Sequence, residues 1–370
     1  MNPFQTENLI EQRICNLADM NQIPISGTFE LLPLCNMDCK MCFAKMSKAQ
    51  MEKHRPMRGY QEWLEVARQA RDAGMMFLLL TGGETFLYPD FQKLYCGLRK
   101  MGIVVSINTN GTLITEEIAE FLAKDPPRRV NLTLYGSSDE TYKKLCGNPH
   151  GFSQATHGIK LLQERGVPIK LNCSVTPYNV DDLESIYAYA AEKKLPIETA
   201  YYMMPAIREN NLGNQDFRLD PRTAAEVKMR VRELQYPPAV LKDYVLGTLD
   251  RYRDYVPSGE VKKGFTCRAG NSVFWIDYDG MMRACSFTQE PSVQVFDRPF
   301  IQAWNEIKEG VSCVMLSSEC LSCKMKTICS TCAASMCSET GVYSGTPKYH
   351  CELTARFIEL LMEKEKEYGE

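Results

Sequence analysis

Three cysteines, Cys35, Cys39 and Cys42, stand in the segment Leu34-Cys35-Asn36-Met37-Asp38-Cys39-Lys40-Met41-Cys42-Phe43, a C-x3-C-x2-C spacing that places three thiols in one short loop. The iron ligands of a 4Fe-4S cluster are normally four cysteines, so three would leave one iron open. A structural zinc site also needs four ligands, usually as two separated pairs. None of His54, His150, His157 or His350 is close enough in sequence to suggest the fourth. A redox dithiol would use a C-x-x-C pair and leave the third cysteine unexplained. On the motif alone, all three readings stand.

At 370 residues the chain can form two or three domains around a sizeable core. Its formal net charge of -3 and interspersed charges form no basic stripe, so nucleic acid is not indicated. The longest strong apolar run, Gly74 to Leu80, is far short of the ~18 residues that suggest a membrane span. The amino terminus lacks the basic and apolar regions of a secretory signal. The expected location is the cytoplasm, with no membrane partner. In that reducing compartment, 16 cysteines point to metal ligands rather than disulfides.

Apolar, β-rich runs occur at Gly27-Leu32, Met76-Leu80, Val104-Asn108, Val130-Leu134, Ile169-Val175 and Ile197-Met203. Amphipathic stretches such as Tyr60-Arg71 and Glu116-Lys124 lie between them, with apolar residues at helical spacing. Such alternation predicts a parallel sheet. The three cysteines follow the first strand, where the chemistry of barrel folds sits. At the end of the second strand comes Thr81-Gly82-Gly83-Glu84-Thr85, whose paired glycines allow close backbone approach.

Together these motifs resemble the radical SAM enzymes. In that family the open iron binds S-adenosylmethionine (SAM), and reductive cleavage yields a 5'-deoxyadenosyl radical that abstracts hydrogen. The resemblance implies an α/β fold, a partial, open (β/α)6 TIM-like barrel followed by a small cysteine-rich β-hairpin and helix domain. It further implies that Gly82, Gly83 and Glu84 meet the SAM amino group, although Thr85 replaces the usual proline. Asn108 and Asn110 would face the ribose, and Thr133 would present a hydroxyl from an element like Ser-Leu-Asp-Gly. The usual arginine for the SAM carboxylate is absent from Leu145-Cys146-Gly147, so either Lys143 or Lys144 substitutes or the contact is lost. Met41 stands where an aromatic is favoured, so Phe43 would serve the adenine.

The carboxyl-terminal third carries Cys267, Gly280 and Cys285, then Cys320, Cys323, Cys329, Cys332, Cys337 and Cys351. By itself the Cys320 to Cys332 run is compatible with a zinc knuckle. Beside the first motif it resembles the SPASM extension, which holds two auxiliary 4Fe-4S clusters. By resemblance the distal cluster takes Cys320, Cys323, Cys329 and Cys351. The proximal one takes Cys267, Cys285 and Cys332, or Cys337. A cysteine present upstream of Cys267 in fully ligated members is missing here, so the proximal cluster has an open iron or an odd ligand such as Cys313. The segment from Trp275 to Met281 predicts a hairpin with an Asp-Gly turn that brings Cys267 and Cys285 together.

The expected organisation is a radical SAM core over 1-206, a helical bridge over 207-258, a SPASM domain over 259-351 and a docking helix over 352-370. Cys15, Cys96, Cys146 and Cys173 read as small hydrophobes. Tyr201 and Tyr202 either line the active site or pack the barrel. In sulfatase maturases of this type an aspartate general base follows the second cysteine of the hairpin; here Ser286 does, with Asp277 or Asp279 as possible substitutes. The expected activity is radical oxidation of a peptide, as in maturases of ribosomal peptides, with a small sugar or amino alcohol as the alternative substrate and a sulfatase maturase as another. A non-catalytic iron-sulfur or zinc protein is the remaining alternative. The expected partner is a low-potential electron donor such as flavodoxin or ferredoxin. No separate peptide-recognition domain precedes Cys35, which argues against dependence on a leader peptide.

Overall fold

β-Branched and aliphatic residues bounded by turns build the sheet, and the computed structural model describes residues 9–205, 216–257 and 264–369. The strands are β1 (Ser26–Glu30), β2 (Phe77–Thr81), β3 (Val104–Thr109), β4 (Arg129–Thr133), β5 (Ile169–Ser174) and β6 (Ile197–Ala200). β7 (Val273–Ile276), β8 (Met281–Arg283) and β9 (Ser292–Gln294) follow. Strands β1 to β6 pair in parallel in chain order, each linked to the next through helix. Every expected strand of the core is present, shifted by at most a few residues.

The hairpin does not form a separate sheet. β7 pairs in parallel with the free edge of β1, and β8 and β9 follow antiparallel, giving one nine-stranded sheet in the order β6-β5-β4-β3-β2-β1-β7-β8-β9. The cysteine-rich region is therefore hydrogen-bonded to the barrel, with the open edge of β1 covered rather than left as a pairing template. The expected domain boundaries at 206/207 and 258/259 lie outside the described residues.

Helices cover the convex face. Helix Tyr60–Asp72 buries Trp63, Val66, Ala67 and Ala70, and Trp63 lies 4.7 Å from Phe29 of β1, ring centre to ring centre. Its start is set by Glu62, whose carboxylate accepts from the Gly59 amide at 2.9 Å. In the expected bridge, helices Pro221–Gln235 and Pro238–Asp254 pack with the carboxyl-terminal helix Lys348–Gly369. That last helix is longer than expected and buries His350, Leu353, Thr354, Phe357, Ile358 and Leu361, a stripe at helical spacing. Burial of each large apolar side chain is worth roughly 1.5–3 kcal/mol. Surface pairs such as Lys364–Glu233 add at most about 1 kcal/mol each, so the apolar stripe holds the helix.

The concave face is polar instead. Asn131 of β4 donates to Asn108 of β3 at 2.9 Å, and Asn108 donates to the Thr81 hydroxyl of β2 at 3.4 Å. Register puts Thr133 of β4 on this same face, two residues beyond Asn131 and opposite Asn172 of β5.

Candidate active site

The loop carrying Cys35, Cys39 and Cys42 leaves β1 and is clamped from two sides. Helix Asp139–Cys146 points its last carbonyls at the loop: the Asp38 amide donates to Cys146 O at 2.8 Å and the Lys40 amide to Leu145 O at 3.0 Å. Gly147 in the left-handed region (φ +68°) ends that helix. On the other side, the Gly83 amide donates to Leu32 O at 2.7 Å and the Glu84 amide to Leu34 O at 2.9 Å. A Cβ on Gly82 would sit 2.6 Å from Leu32 O, and one on Gly83 would sit 2.2 Å from Leu34 O. These glycines therefore bring β2 against the cysteine loop, whatever else their backbone meets.

The Glu84 side chain is engaged within the protein. Its carboxylate is wholly buried and accepts from the Thr109 hydroxyl (2.7 Å), the Asn110 amide (2.8 Å) and the Phe86 amide (3.1 Å). Burial raises its pKa above the usual carboxylate value and outweighs those three bonds. The side chain is a brace between β2 and the end of β3. Thr85, in place of proline, adds to it by donating to Asn108 O at 2.7 Å. The Asn110 side chain is likewise committed: its amide donates to Asn36 Oδ1 (2.9 Å) and lies 3.7 Å from Cys35 Sγ, while its oxygen accepts from Thr112.

Backbone amides face the sulfurs, with Met37 N 3.4 Å from Cys35 Sγ and Lys45 N 3.2 Å from Cys42 Sγ. Burial pushes the Cys35 thiol up to about 12, with the nearby Cys39, Glu84 and Cys42 charges adding to it. Cys39 is also raised well above the ordinary thiol value, first by its hydrogen bond with Cys146 and then by burial, and is eased by the Tyr135 hydroxyl and the Lys45 charge. Bare thiolates are thus disfavoured here and need a cationic partner. Among the described residues, no three His, Cys, Asp or Glu side chains converge as a single ion requires. A four-iron cube holds its thiolates apart, so neighbouring but separated thiols with amides directed at their sulfurs fit that group. On the concave face, buried Asn131 Oδ1 has no hydrogen-bond partner, an acceptor left for a ligand of the cleft.

Several expectations need correction. Lys143 and Lys144 are exposed, and Lys144 is paired with Glu140 rather than held for a carboxylate ligand. Cys146 is no isolated hydrophobe: it touches Cys39. Cys96 is exposed rather than set in apolar surroundings. Phe43 packs on Phe287, two residues beyond Cys285, at 4.6 Å between ring centres, joining the cysteine loop to the hairpin region. Tyr135 was not anticipated at all. Its half-buried ring packs edge-on against Tyr142, and the charges of Cys39, Cys146, Cys42 and Cys35 all act on its hydroxyl. The only sequence signal was an aromatic residue directly after the β4 strand run.

In the carboxyl-terminal region the thiols fall into two groups. Burial, helped by the Cys332 and Cys267 charges, pushes Cys285 up to about 11. Cys351 feels Cys320, Cys329 and Cys323. Cys337 has Tyr343 as its neighbour instead, and Cys313 is exposed at the end of helix Phe300–Ser312. A cavity of about 200 Å3 is lined by Cys320, Cys323, Cys329, Cys332, Cys351 and His350, among others. That room suits a compact group of several heavy atoms, given the ~30 Å3 that one water takes in the liquid.

The catalytic candidates are otherwise engaged. Asp277 accepts from Trp275 Nε1 (2.9 Å) and from Arg283 Nε (2.7 Å), a largely buried ion pair. Asp279 caps its own turn by accepting from the Met281 amide, with Gly280 at φ +88°. Tyr202 donates to Glu339 at 2.6 Å and lies against His350, while burial and then Arg232 dominate the surroundings of Tyr201. Both tyrosines thus sit toward the carboxyl-terminal cysteines. Buried Lys228 stands 4.0 Å above the Phe357 ring, and burial draws it down to about 8.

Comparison with known proteins agrees with this geometry. Residues 29–190 match the Radical SAM superfamily. Fe-coproporphyrin III synthase of Methanosarcina barkeri is 25% identical over 326 residues, spanning 80% of this chain and 79% of that protein. The sporulation killing factor maturation protein SkfB of Bacillus subtilis is 26% identical over 187 residues, 50% of this chain and 44% of SkfB. Among solved structures, anSMEcpe with bound AdoMet superposes with a TM-score of 0.70 at 20% identity, covering 93% of this chain and 95% of that one. Streptococcus suis SuiB bound to its precursor peptide SuiA gives 0.67 at 18% identity, over 92% and 79%. The chain carries a radical SAM domain at residues 29–190, and it continues into a cysteine-rich region that shares the fold of anSMEcpe and SuiB and whose thiols fit auxiliary iron-sulfur clusters.

Proposed function

We propose that the chain is a radical SAM oxidoreductase of the SPASM type that modifies a peptide. When bound, a 4Fe-4S cluster and S-adenosylmethionine supply a 5'-deoxyadenosyl radical able to take hydrogen from an unactivated C-H bond. Cys35, Cys39 and Cys42 would hold that cluster, and the backbone of Gly82 and Gly83, with Asn108, Asn131 and Thr133 on the concave face, would orient the cofactor. Asn110, Glu84 and Thr85 fix the loop that carries Cys35. Cys320, Cys323, Cys329 and Cys351 would hold one auxiliary cluster, and Cys267, Cys285 and Cys332 the other.

The observation that carries the reading is that two separate cysteine systems share one sheet and meet at the Phe43–Phe287 contact. Oxidation of a substrate radical needs a second electron acceptor near the first site, and the Phe43–Phe287 contact between the two cysteine regions supports that reading. A low-potential donor such as flavodoxin or ferredoxin in the cytoplasm would provide the initiating electron. Among the described residues, no helix is long and apolar enough to cross a membrane.

A peptide substrate is favoured by the maturation function named for SkfB and by the peptide bound to SuiB. Small-molecule oxidation is the second reading, favoured by the longer alignment with Fe-coproporphyrin III synthase. The test is anaerobic incubation with SAM, dithionite and peptides encoded beside the gene. Formation of 5'-deoxyadenosine with loss of about 2 Da from a peptide, the mass of two hydrogens, supports the reading. SAM cleavage with unchanged peptides and an altered small molecule selects the second. Alanine at Cys35, Cys39 and Cys42 together should abolish 5'-deoxyadenosine and remove about four of about twelve irons.

A further inference from the structure

Four histidines occur in the chain, and three of them, His54, His150 and His157, are exposed. His350 is only 2% exposed, and neither of its ring nitrogens has a hydrogen-bond partner. A buried polar atom without a partner costs about 1–3 kcal/mol, so two on one ring call for a ligand. The ring borders the cavity formed with Cys320, Cys323, Cys329, Cys332 and Cys351. On its other flank stand Tyr202, at 4.2 Å between ring centres, and Tyr349, at 6.1 Å. Tyr202 is in turn tied to Glu339, and Glu339 to Arg218 in a buried pair at 2.5 Å. The imidazole is thus held in place by aromatic packing and by a braced tyrosine, while its own nitrogens are committed to nothing in the protein.

We propose that His350 is a positioning residue of the distal auxiliary site, donating a ring N–H to a sulfur of the cluster held by Cys320, Cys323, Cys329 and Cys351. This rests on the ligand assignment made above. Four thiolates complete that ligand set, so the imidazole has no coordination position to fill and acts through its N–H. A hydrogen bond to a cluster sulfur withdraws electron density and raises the reduction potential. Lys228, buried beside Cys329 and lacking a carboxylate partner in any ion pair of the described residues, adds positive charge on the same side. Both groups favour the reduced, more negative cluster. The distal site is accordingly set to receive an electron rather than to deliver one.

The test begins with wild-type protein reconstituted without oxygen. Iron content and the visible spectrum first establish whether a cluster occupies the carboxyl-terminal cysteines; its absence there overturns the ligand assignment and with it the donor role of His350. Protein made with isotopically labelled histidine should then show nitrogen coupling to a reduced auxiliary cluster in pulsed electron paramagnetic resonance. No such coupling in cluster-loaded protein overturns the proposal. In His350→Phe, which keeps the ring packing, one of three midpoint potentials should fall by an amount matching a roughly tenfold change in its reduction equilibrium, about 59 mV for one electron, with iron content unchanged. His350→Asn, which restores an N–H donor, should recover part of that shift. Unchanged potentials in loaded His350→Phe protein refute the hydrogen bond, and loss of about four irons from both His350→Phe and His350→Asn would make the imidazole a ligand, overturning the donor role.

Discussion

Replacing Gly83 by alanine tests whether the Gly-Gly segment works by bringing β2 against the cysteine loop. The new Cβ would lie 2.2 Å from Leu34 O, 2.5 Å from Leu34 C and 2.8 Å from Pro33 O, all backbone atoms that no rotamer change can move aside. Ordinary contact begins near 3.4 Å, so the chain before Cys35 must retreat by roughly 1 Å. That displacement stretches the 2.7 Å bond from Gly83 N to Leu32 O and the 2.9 Å bond from Glu84 N to Leu34 O. Overpacking alone costs typically 1–3 kcal/mol, and each weakened bond adds roughly 0.5–1.5 kcal/mol. The expected loss is about 2–6 kcal/mol, a large share of the 5–15 kcal/mol that holds an ordinary protein together. Denaturant unfolding of cluster-free protein under reducing conditions would measure it. Reconstituted Gly83→Ala protein should also lack about a third of its iron, because Cys35 moves with Leu34. Gly102→Ala is the control: Gly102 has φ +80° but nothing within 4 Å of the added carbon, so only backbone strain of roughly 1–2 kcal/mol applies and iron is retained. Gly83→Ala protein within about 0.5 kcal/mol of wild type and fully loaded with iron would refute the reasoning.

Gly247 lies inside helix Pro238–Asp254, where an added Cβ meets only the end of Arg251 at 3.8 Å; Gly247→Ala should stabilise by roughly 0.5–1 kcal/mol in the same unfolding assay. Asp277→Ala leaves Arg283 largely buried and unpaired, so a loss of about 3 kcal/mol is expected, and wild-type enzyme should form no aldehyde on a sulfatase-derived peptide by mass spectrometry, because Asp277 is occupied and Ser286 is too weak a base. Glu84 has a raised folded-state pKa, so its contribution is fully present below the ordinary carboxylate value of 4.5 and is lost as pH rises through the folded value. Urea midpoints of cluster-free wild type should therefore decline over that window more steeply than those of Glu84→Gln, and equal slopes would exclude the effect.

Local pattern carried much of this protein. The strand runs, the amphipathic helices and the three-cysteine loop are visible because side-chain period and residue spacing are properties of short segments, and the structure reproduces them with small shifts. Cys320, Cys323 and Cys329 belong to the same class, since a few intervening residues keep their thiols together wherever the segment goes.

What the tertiary structure alone decided depends on partners distant in sequence. Nothing in Val273–Ile276 says that it will pair with β1 and extend the barrel sheet, because parallel pairing between remote segments leaves no local signature. Glu84 meets the Thr109 hydroxyl and the Asn110 amide, and Phe43 meets Phe287, only because the chain brings remote segments together. Cys146 and Tyr135 join the thiol group only because helix Asp139–Cys146 ends on the cysteine loop. His350 is the sharpest case: too far in sequence from the first cysteines to be their ligand, it is buried beside the last ones by the helix that also carries Cys351. Spacing along the chain determines which groups can act together locally, whereas burial and long-range packing determine which polar groups are spent on the fold and which are left to act.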